Sequence, residues 1–167
     1  MNQDKQLVHD FWNRTSCGEE LYLVNQERLG YQAQSKARYA LEPYIPDFAG
    51  FAQSKGLWVL EIGVGLGADH QRFAEEGADL WGIDLTERAV EHSQIRLAAF
   101  GLSSNLCVGD AERLDFPEES FDWIYSWGVL HHSPDTPKAI AEVWRVLKHG
   151  GRARIMIYHK WSLVGIM

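Results

Sequence analysis

The sequence has few cysteines and no long apolar run, and each shortage excludes a class of protein. Cys17 and Cys107 are the only cysteines in 167 residues and have no metal-type spacing, so a disulfide-stapled secreted domain or a cysteine-rich zinc module is excluded. No apolar run approaches the roughly 20 residues that span a bilayer, and the N-terminus lacks the basic and apolar regions of a signal peptide. We therefore expect a cytoplasmic protein with no membrane partner.

Positive charge is also scarce in this chain. Lys and Arg total 16 against 23 Asp and Glu, which gives a formal net charge of -7. This balance offers no basic surface to a nucleic acid backbone. Hydrophobic residues make up 46% and charged residues 23% of the chain, close to the averages of globular proteins. We expect one structural unit with its own core and no nucleic acid partner.

Apolar strands alternate with helical segments from residue 57 onward. The predicted strands are LWVLEIG from Leu57, DLWGID from Asp79, LCVGD from Leu106, FDWIYS from Phe121 and RARIMIY from Arg152. Helices separate several of these strands, which predicts an α/β fold with a parallel sheet and right-handed crossovers. Residues 1–56 lack a period-2 pattern and are predicted to form a helical N-terminal extension, whereas residues 57–167 form the α/β domain.

The last predicted helix precedes the fifth strand. Thr136 and Pro137 are expected to open it as the capping residue and the first helical residue. The segment KHGG, residues 148–151, is expected to break the chain before the strand begins. The predicted buried face of the helix consists of Ile140, Val143, Trp144 and Leu147.

A glycine-rich turn follows the first strand. Gly63, Gly65 and Gly67 fit a GxGxG pattern, and Gly63, Gly65 and Ala68 also fit the GxGxxA form of the dinucleotide fingerprint. The N–H groups of a helix that begins near Ala68 suit a phosphate or a carboxylate equally well. The glycines alone therefore leave the ligand undecided between a pyrophosphate and the amino-acid end of another nucleotide.

Three carboxylates are more informative than the glycines. Glu61, Asp84 and Asp110 each lie at or near the carboxyl end of a successive predicted strand, where open α/β sheets bind their ligands. A pyrophosphate would add negative charge there, while an ammonium, a sulfonium and ribose hydroxyls supply the cations and donors that acids accept. This favours S-adenosylmethionine as the ligand.

Each acid has an expected role in holding that ligand. Asp84 lies roughly 20 residues beyond the first glycine, which is the spacing of an acid that accepts hydrogen bonds from ribose. Asp110 is placed to reach the adenine amino group. Glu61 lies beside the glycine turn, where it orients the loop or helps to hold the ammonium group.

Four segments together resemble a known family. They are VLEIGVGLG, GIDLTERAV, VGDAERLDFPEESFDWIYSWGVLHH and EVWRVLKHGGRARIMIY. With these segments in the family's order and spacing, the range from Trp58 to Tyr158 is similar to the class I, Rossmann-like S-adenosylmethionine-dependent methyltransferases of the methyltransferase-11 type. The resemblance implies a doubly wound, mainly parallel Rossmann-like sheet and methyl transfer from S-adenosylmethionine to a small-molecule acceptor, with S-adenosylhomocysteine as product.

The resemblance also implies roles for individual residues and for the N-terminal extension. The extension resembles the family's lid, which would fold over the cofactor. The implied cofactor contacts are Gly63, Gly65 and Gly67 at the methionine end, Asp84 and Leu85 at ribose and adenine, Asp110 with Ala111 at the adenine edge, and Ser126 and Trp127 beside the methionine portion.

A pair of histidines follows the fourth predicted strand. His131 and His132 fall near the expected position of the transferred methyl group, and histidine suits a general base because its pKa lies near neutrality. The alternative is a polar loop that shapes the pocket, because methyl transfer chiefly requires positioning of the reactants. Their adjacency argues against a shared metal ion, so no metal site is expected. The other histidines, His70 and His149 included, are predicted to be surface residues.

The sequence stops soon after the fifth predicted strand, whereas the family's sheet has seven strands. We therefore expect a truncated chain whose exposed fifth-strand edge, or C-terminal tail, pairs in a homodimer.

Two functions other than methyl transfer remain open. One is an NAD-dependent oxidoreductase, which the GxGxxA interpretation allows. The other is a non-catalytic module that binds an adenosyl ligand.

Overall fold

The computed structural model describes residues 3–158, and five parallel strands form its sheet. The strands are β1 Trp58–Ile62, β2 Asp79–Asp84, β3 Asn105–Val108, β4 Phe121–Trp127 and β5 Leu147–Met156. Their order across the sheet is β3-β2-β1-β4-β5, so the winding direction reverses between β1 and β4. This confirms the predicted doubly wound α/β fold, and the reversal creates the crevice in which such sheets bind ligands.

Seven α-helices surround the sheet within residues 3–158. They are α1 Gln3–Arg14, α2 Glu19–Tyr22, α3 Arg28–Leu41, α4 Ile45–Ala49, α5 Ala68–Glu75, α6 Glu87–Phe100 and α7 Thr136–Val146. As predicted, helices occupy the N-terminal segment. Thr86 caps α6 by accepting a hydrogen bond from the backbone N–H of Ala89, and Gly101 ends that helix in the left-handed conformation. No helix in the described part of the chain is long and apolar enough to cross a membrane.

The sheet is buried on both faces, because neighbouring residues of β1 belong to different hydrophobic clusters. Leu60 packs in a cluster with Ile83, Ile124 and residues of α7. Val59 packs in the opposite cluster, which includes Phe73 of α5 and residues contributed by α4. The end of the N-terminal segment therefore shares a core with the sheet.

The predicted start and buried face of α7 are wrong in detail. Asp135 rather than Thr136 caps the helix, since its carboxylate accepts a hydrogen bond from the Lys138 N–H at 3.0 Å. Ile140 is 41% and Trp144 is 76% exposed. The face that contacts the core consists of Ala139, Val143 and Val146.

The strand boundaries near the carboxyl end also differ from the predictions. β5 begins at Leu147 directly after α7, so KHGG lies within the strand instead of breaking the chain before Arg152. The register shifts between Phe121, which pairs with Leu147, and Trp123, which pairs with Arg152. The extra residues form a bulge that includes a positive φ of 78° at Gly150. β3 ends at Val108, two residues before the predicted end at Asp110.

Candidate functional site

One cavity of about 720 Å³ lies at the carboxyl ends of the central strands, a size in the usual range for small-molecule sites. Its floor is the turn from Gly63 to Gly67, and its walls come from the segments that follow β2, β3 and β4. Lys5, Val8 and Trp12 of α1 also line it. Because these three residues share one face of the helix, α1 lies over the cavity, and we call it the lid helix.

The glycine turn depends on backbone conformations that favour glycine. Gly63, Gly65 and Gly67 all have positive φ, at 86°, 50° and 73°. A Cβ on Gly63 would lie 2.2 Å from the Cγ2 atom of Val129, whereas a Cβ on Gly65 would meet no atom of residues 3–158 within 4 Å. The turn therefore needs Gly63 for packing, while Gly65 leaves its backbone open to a ligand. All three glycines line the cavity.

Asp84 ends β2 and fastens the glycine turn. Its Oδ2 accepts a hydrogen bond from the backbone N–H of Gly65 at 3.1 Å, and its Oδ1 accepts from the Thr86 N–H and hydroxyl at 3.1 and 2.9 Å. Burial raises the pKa of Asp84 although these hydrogen bonds oppose the shift. Asp84 and the adjacent Leu85 both line the cavity.

Asp110 lies on the cavity wall, but a lysine from the lid helix is bound to it. The Nζ atom of Lys5 lies 2.5 Å from Oδ2 of Asp110 and 2.6 Å from Oε2 of Glu112. Ala111 also lines the cavity, whereas Glu112 does not. Asp110 and Ala111, expected at the adenine edge of the cofactor, thus both lie at the cavity, whereas Lys5 and Glu112, which lie 105 and 2 residues from Asp110, were not predicted.

Glu112 is a buried carboxylate with partners on both sides. In addition to Lys5, its Oε1 accepts hydrogen bonds from the Ser133 hydroxyl at 2.5 Å and from the Asp135 N–H at 3.0 Å. Burial alone would raise its pKa, but these donors and the charge of Lys5 lower the pKa of Glu112 to about 2. Glu112 is therefore ionised and connects the lid helix to the segment after β4.

Glu61 is turned toward a buried histidine. Its Oε2 lies 2.9 Å from Nδ1 of His70, and Nε2 of His70 lies 2.7 Å from the Ser104 hydroxyl. The predicted surface position of His70 is wrong, since its ring is fully buried between α5 and the sheet. Burial lowers the pKa of His70 to about 3 and raises that of Glu61, so this contact is a hydrogen bond rather than an ion pair. Glu61 also lines the cavity.

A second buried carboxylate, Asp69, stands beside the glycine turn. Arg38 of α3 donates to both of its oxygens, at 3.1 and 2.6 Å, and the hydroxyls of Tyr39 and Tyr125 donate at 2.9 and 2.8 Å. Arg38 and Asp69 both line the cavity. Sequence reasoning missed this group, because nothing in the spacing of these residues indicates that α3, α5 and β4 meet here.

The two residues predicted at the end of β4 have different surroundings. Trp127 lines the cavity, and its indole N–H donates to Glu42 at 3.2 Å. Ser126 is fully buried, its hydroxyl donates to the Ile62 carbonyl at 3.0 Å, and it is not among the residues that line the cavity. Ser126 therefore holds β4 to the end of β1.

His131 and His132 form a 3-10 turn after β4 that also includes Leu130, and we call residues 130–135 the histidine turn. The centroids of the two imidazole rings lie 4.0 Å apart. His132 also contacts Trp12 of the lid helix, with ring centroids 5.3 Å apart. Burial and the neighbouring His132 lower the pKa of His131 to about 4. Both histidines line the cavity, and the buried Nδ1 of His131 has no hydrogen-bond partner within residues 3–158.

The described residues contain no group of three or more His, Cys, Asp or Glu side chains that could hold a metal ion. His149 is exposed as predicted, and its Nε2 lies 2.8 Å from an Oε1 atom of Glu119. The functional groups at the cavity within residues 3–158 thus include carboxylates, Lys5, Arg38, two histidines and the open backbone of the glycine turn.

Comparison with known proteins connects this arrangement to a family. The model of the methyltransferase domain family, Methyltransf_11, matches residues 60–155, which include the glycine turn, the acids at the strand ends and the histidine turn. The chain belongs to the methyltransferase domain family. The family predicted from the four sequence segments is therefore confirmed.

This methyltransferase domain is also similar in sequence to individual curated proteins. The chain is 34% identical over 107 residues to phosphoethanolamine N-methyltransferase 2 of Caenorhabditis elegans, which covers 63% of this chain and 24% of the relative. It is 27% identical over 146 residues to the ubiquinone biosynthesis O-methyltransferase of Coxiella burnetii, covering 87% of this chain and 56% of the relative. The chain thus spans between about a quarter and about half of the length of these curated relatives.

A solved structure agrees with the fold of this methyltransferase domain. The YcgJ protein of Bacillus subtilis superposes with a TM-score of 0.66 at 31% sequence identity, over 71% of this chain and 51% of that protein. The likeness extends to the doubly wound sheet on which the cavity is built.

Proposed function

We propose that this domain binds S-adenosylmethionine and transfers its methyl group to a small-molecule acceptor by in-line displacement at an N, O, C or S nucleophile, with S-adenosylhomocysteine as product. The observation that carries the proposal is the convergence of the glycine turn, Asp84, Asp110 and Arg38 on one cavity in a chain of the methyltransferase domain family. The relatives named above act on phosphoethanolamine or in ubiquinone biosynthesis, which supports a small-molecule acceptor.

The chemistry of the cavity fits the two ends of this cofactor. Asp84 and Leu85 would meet the ribose, and Asp110 with Ala111 would meet the adenine edge, because carboxylates accept hydrogen bonds from hydroxyl and amino groups. At the other end, Arg38 and the backbone of Gly65 and Gly67 would hold the α-carboxylate, while Glu61 would lie near the ammonium group. The bound cofactor supplies a methyl group on a sulfonium, which is already a good leaving group.

The chain's own contribution is then mainly positional. Holding two reactants in a near-attack geometry is worth about 7 to 11 kcal/mol of the barrier. The lid helix and Trp127 border the space in which an acceptor would lie. Ser126 supports this geometry from behind β4, with its hydroxyl on the Ile62 carbonyl.

A general base is needed only when the acceptor nucleophile carries a proton. We propose His131 for this role, with His132 as its neighbour and second candidate. A pKa lowered to about 4 keeps His131 neutral at physiological pH, so its imidazole has a lone pair for the acceptor's proton, and the same shift makes it a weaker base than a solvated histidine. General base catalysis contributes about 10²- to 10⁴-fold. His131→Gln should lower the transfer rate by that factor, while His132→Gln serves as the matched comparison, and an equal effect of both would remove the assignment to His131.

The first experiment is calorimetric titration of the chain with S-adenosylmethionine, S-adenosylhomocysteine and NAD in parallel. Binding of the two sulfur ligands without NAD is expected. Binding of NAD alone would favour the oxidoreductase that the GxGxxA pattern allows. Cofactor binding followed by no transfer in a screen of amine, phenol and thiol acceptors would favour a non-catalytic adenosyl-binding module.

We also propose two properties of the molecule as a whole. The first is a homodimer formed through the outer edge of β5, which is paired only with β4 among the described strands and leaves backbone donors available. Sedimentation showing only monomer at micromolar concentration would refute it.

The second property is a reducing, cytoplasmic compartment, which the two free cysteines support. Fractionation of cells that produce the protein would test it.

A further inference from the structure

The lid helix has a set of polar attachments to the α/β core. Lys5 reaches Asp110 and Glu112 at its N-terminal end. Toward its C-terminal end, His9 lies 3.1 Å from Glu87, and the side chain of Asn13 accepts a hydrogen bond from the Arg88 N–H at 3.2 Å. In the second group Glu87 is exposed and His9, Asn13 and Arg88 are half-buried, whereas Lys5 and Glu112 are both buried. The buried contact is therefore the stronger of the two attachments.

Glu112 divides its two oxygens between the lid helix and the histidine turn. Oε2 accepts from Lys5 at 2.6 Å, and Oε1 accepts from the Ser133 hydroxyl at 2.5 Å and the Asp135 N–H at 3.0 Å. Its backbone N–H donates to Oδ1 of Asp110 at 2.9 Å. Glu112 thus connects the lid helix to the histidine turn through its side chain and contacts Asp110 through its backbone, although it does not itself line the cavity.

We propose that Glu112 is a positioning residue that joins the lid helix to the histidine turn and makes the Lys5 contact the latch for cofactor exchange. The proposal rests on the proposed function, because it assumes that the cofactor binds under the lid helix. The lid must open for the cofactor to enter or leave, and opening separates Lys5 from two carboxylates. The turn that carries His131 and His132 is held by the same carboxylate that holds the closed lid.

A latch has a kinetic effect that differs from that of a cofactor ligand. If the Lys5 contact is present with and without cofactor, then weakening it speeds association and dissociation alike. The dissociation constant then changes little. A residue that touches the cofactor instead weakens binding, chiefly through faster dissociation. The two roles can be separated by measuring both rates with S-adenosylhomocysteine, which is stable and is the product.

Conservative variants can test the contact of Glu112 with Lys5 separately from its contacts with the histidine turn. Glu112→Gln keeps a carbonyl oxygen for Ser133 and Asp135 but removes the charge that Lys5 binds. Lys5→Met removes the other half of the latch, and Ser133→Ala weakens only the turn side. Glu118→Gln is a matched control, since this glutamate lies six residues further on and is exposed.

The first readout is hydrogen exchange of the ligand-free protein, which does not depend on cofactor binding. We expect Glu112→Gln and Lys5→Met to speed exchange of residues 3–14 by about tenfold, because each removes a charge-assisted hydrogen bond. We expect Ser133→Ala to speed exchange of the histidine turn and to leave residues 3–14 unchanged. Unchanged exchange of residues 3–14 in both latch variants would overturn the proposal, even if the cofactor binds as proposed.

The second readout is stopped-flow binding of S-adenosylhomocysteine. Both rate constants should rise by about tenfold in Glu112→Gln and in Lys5→Met, with less than about a threefold change in Kd. The double variant should show no further increase over Lys5→Met, because that change already removes the Lys5 contacts with both Asp110 and Glu112. A rise in the dissociation rate alone would overturn the latch. Absence of binding by the unaltered protein would refute the proposed function and leave the exchange result as the test of the latch.

Discussion

The Nδ1 atom of His70 lies 2.9 Å from the Oε2 atom of Glu61, and both side chains are buried beneath the glycine turn. Burial disfavours charge on each group. It lowers the pKa of His70 to about 3 and raises the pKa of Glu61 well above 4.5. The folded pair therefore holds one proton, as a carboxylic acid beside a neutral imidazole.

We expect folding stability to depend on pH through these two groups only when either Glu61 or His70 is replaced. Between pH 4.5 and 6.5 the unfolded pair also holds one proton, since Glu61 is ionised and His70 is protonated. Equal proton counts give no slope of stability against pH. In Glu61→Gln, the lowered pKa of His70 acts alone, so stability is complete above pH 6.5 and is lost as the pH falls toward 3.

The expected loss in Glu61→Gln relative to the unaltered protein is about 1 kcal/mol per pH unit below pH 6.5. His70→Gln should show the opposite sign. The raised pKa of Glu61 then acts alone, so its contribution is complete below pH 4.5 and is lost as the pH rises. Urea midpoints of the three proteins at half-unit steps from pH 4.5 to 6.5 measure both slopes. Parallel curves would show that the two groups do not share a proton in this way.

Local sequence patterns predicted most of the sheet and one side of the cavity. Leu60, Ile83 and Ile124 lie in apolar runs that must be buried, and the first two of these runs end at Gly63 and Asp84. Because parallel strands bring their carboxyl ends to the same edge, Glu61, Asp84 and Asp110 could be placed together without knowing any longer-range contact.

The errors come from choices that depend on packing between distant elements. In α7, two overlapping faces are apolar, and the larger residues Ile140 and Trp144 favoured the wrong one. The face that packs contains Ala139 and Val146, because β5 follows the helix without a loop and fixes its rotation. His70 was placed on the surface because neither its partner Glu61 nor the burial of α5 follows from the helix alone.

The other missed residues come from the N-terminal helices. Arg38 of α3 and Lys5 of the lid helix reach the cavity through contacts with residues 31 and 105 positions away. A charged residue in an amphipathic helix is usually solvated, so sequence spacing gives no signal for either contact. Only the tertiary structure brings them to Asp69 and Asp110.

The glycine turn predicts different outcomes for two similar substitutions. Gly63→Ala should reduce the free energy of unfolding by about 2–4 kcal/mol, since its positive φ is strained for alanine and its Cβ would overlap Val129. Gly65→Ala should cost only about 1–2 kcal/mol, because its Cβ meets no atom within 4 Å.

In the folded proteins, we expect Gly65→Ala to weaken cofactor binding more than Gly63→Ala does. The methyl group of Gly65→Ala would enter space at the cavity, and overpacking of about 1–3 kcal/mol weakens S-adenosylhomocysteine binding by about 5- to 150-fold. Chemical denaturation and calorimetry on the same samples measure both quantities. Full affinity in Gly65→Ala would mean that the ligand does not approach this part of the turn.

Asp84→Asn should weaken S-adenosylhomocysteine binding by about 10- to 100-fold, because it removes the charge from hydrogen bonds worth about 1.5–3 kcal/mol. Asparagine also has one acceptor oxygen in place of the two that Gly65 and Thr86 now use. Asp79→Asn is the matched control, since Asp79 is exposed at the other end of β2. Unchanged affinity in Asp84→Asn would contradict the ribose assignment.

Arg38 should distinguish the two ends of the cofactor. It donates to both oxygens of Asp69 and lines the cavity beside the glycine turn, where the α-carboxylate of the ligand would lie. Arg38→Met should therefore weaken binding of S-adenosylhomocysteine by about 10- to 100-fold. Binding of 5′-methylthioadenosine, which lacks the amino-acid end, should change by less than about threefold.

Comparing S-adenosylhomocysteine with 5′-methylthioadenosine separates a lost cofactor contact from a general destabilisation of the Arg38→Met protein. Arg38→Met leaves the buried carboxylate of Asp69 with only its tyrosine donors, so the melting temperature should fall. A general loosening of the site would weaken both ligands to the same extent, whereas loss of a carboxylate contact weakens only the ligand that carries the carboxylate. Arg38→Lys keeps the charge and should recover part of the difference. Equal loss for both ligands would mean that Arg38 acts through Asp69 and the packing of α3, and not on the cofactor itself.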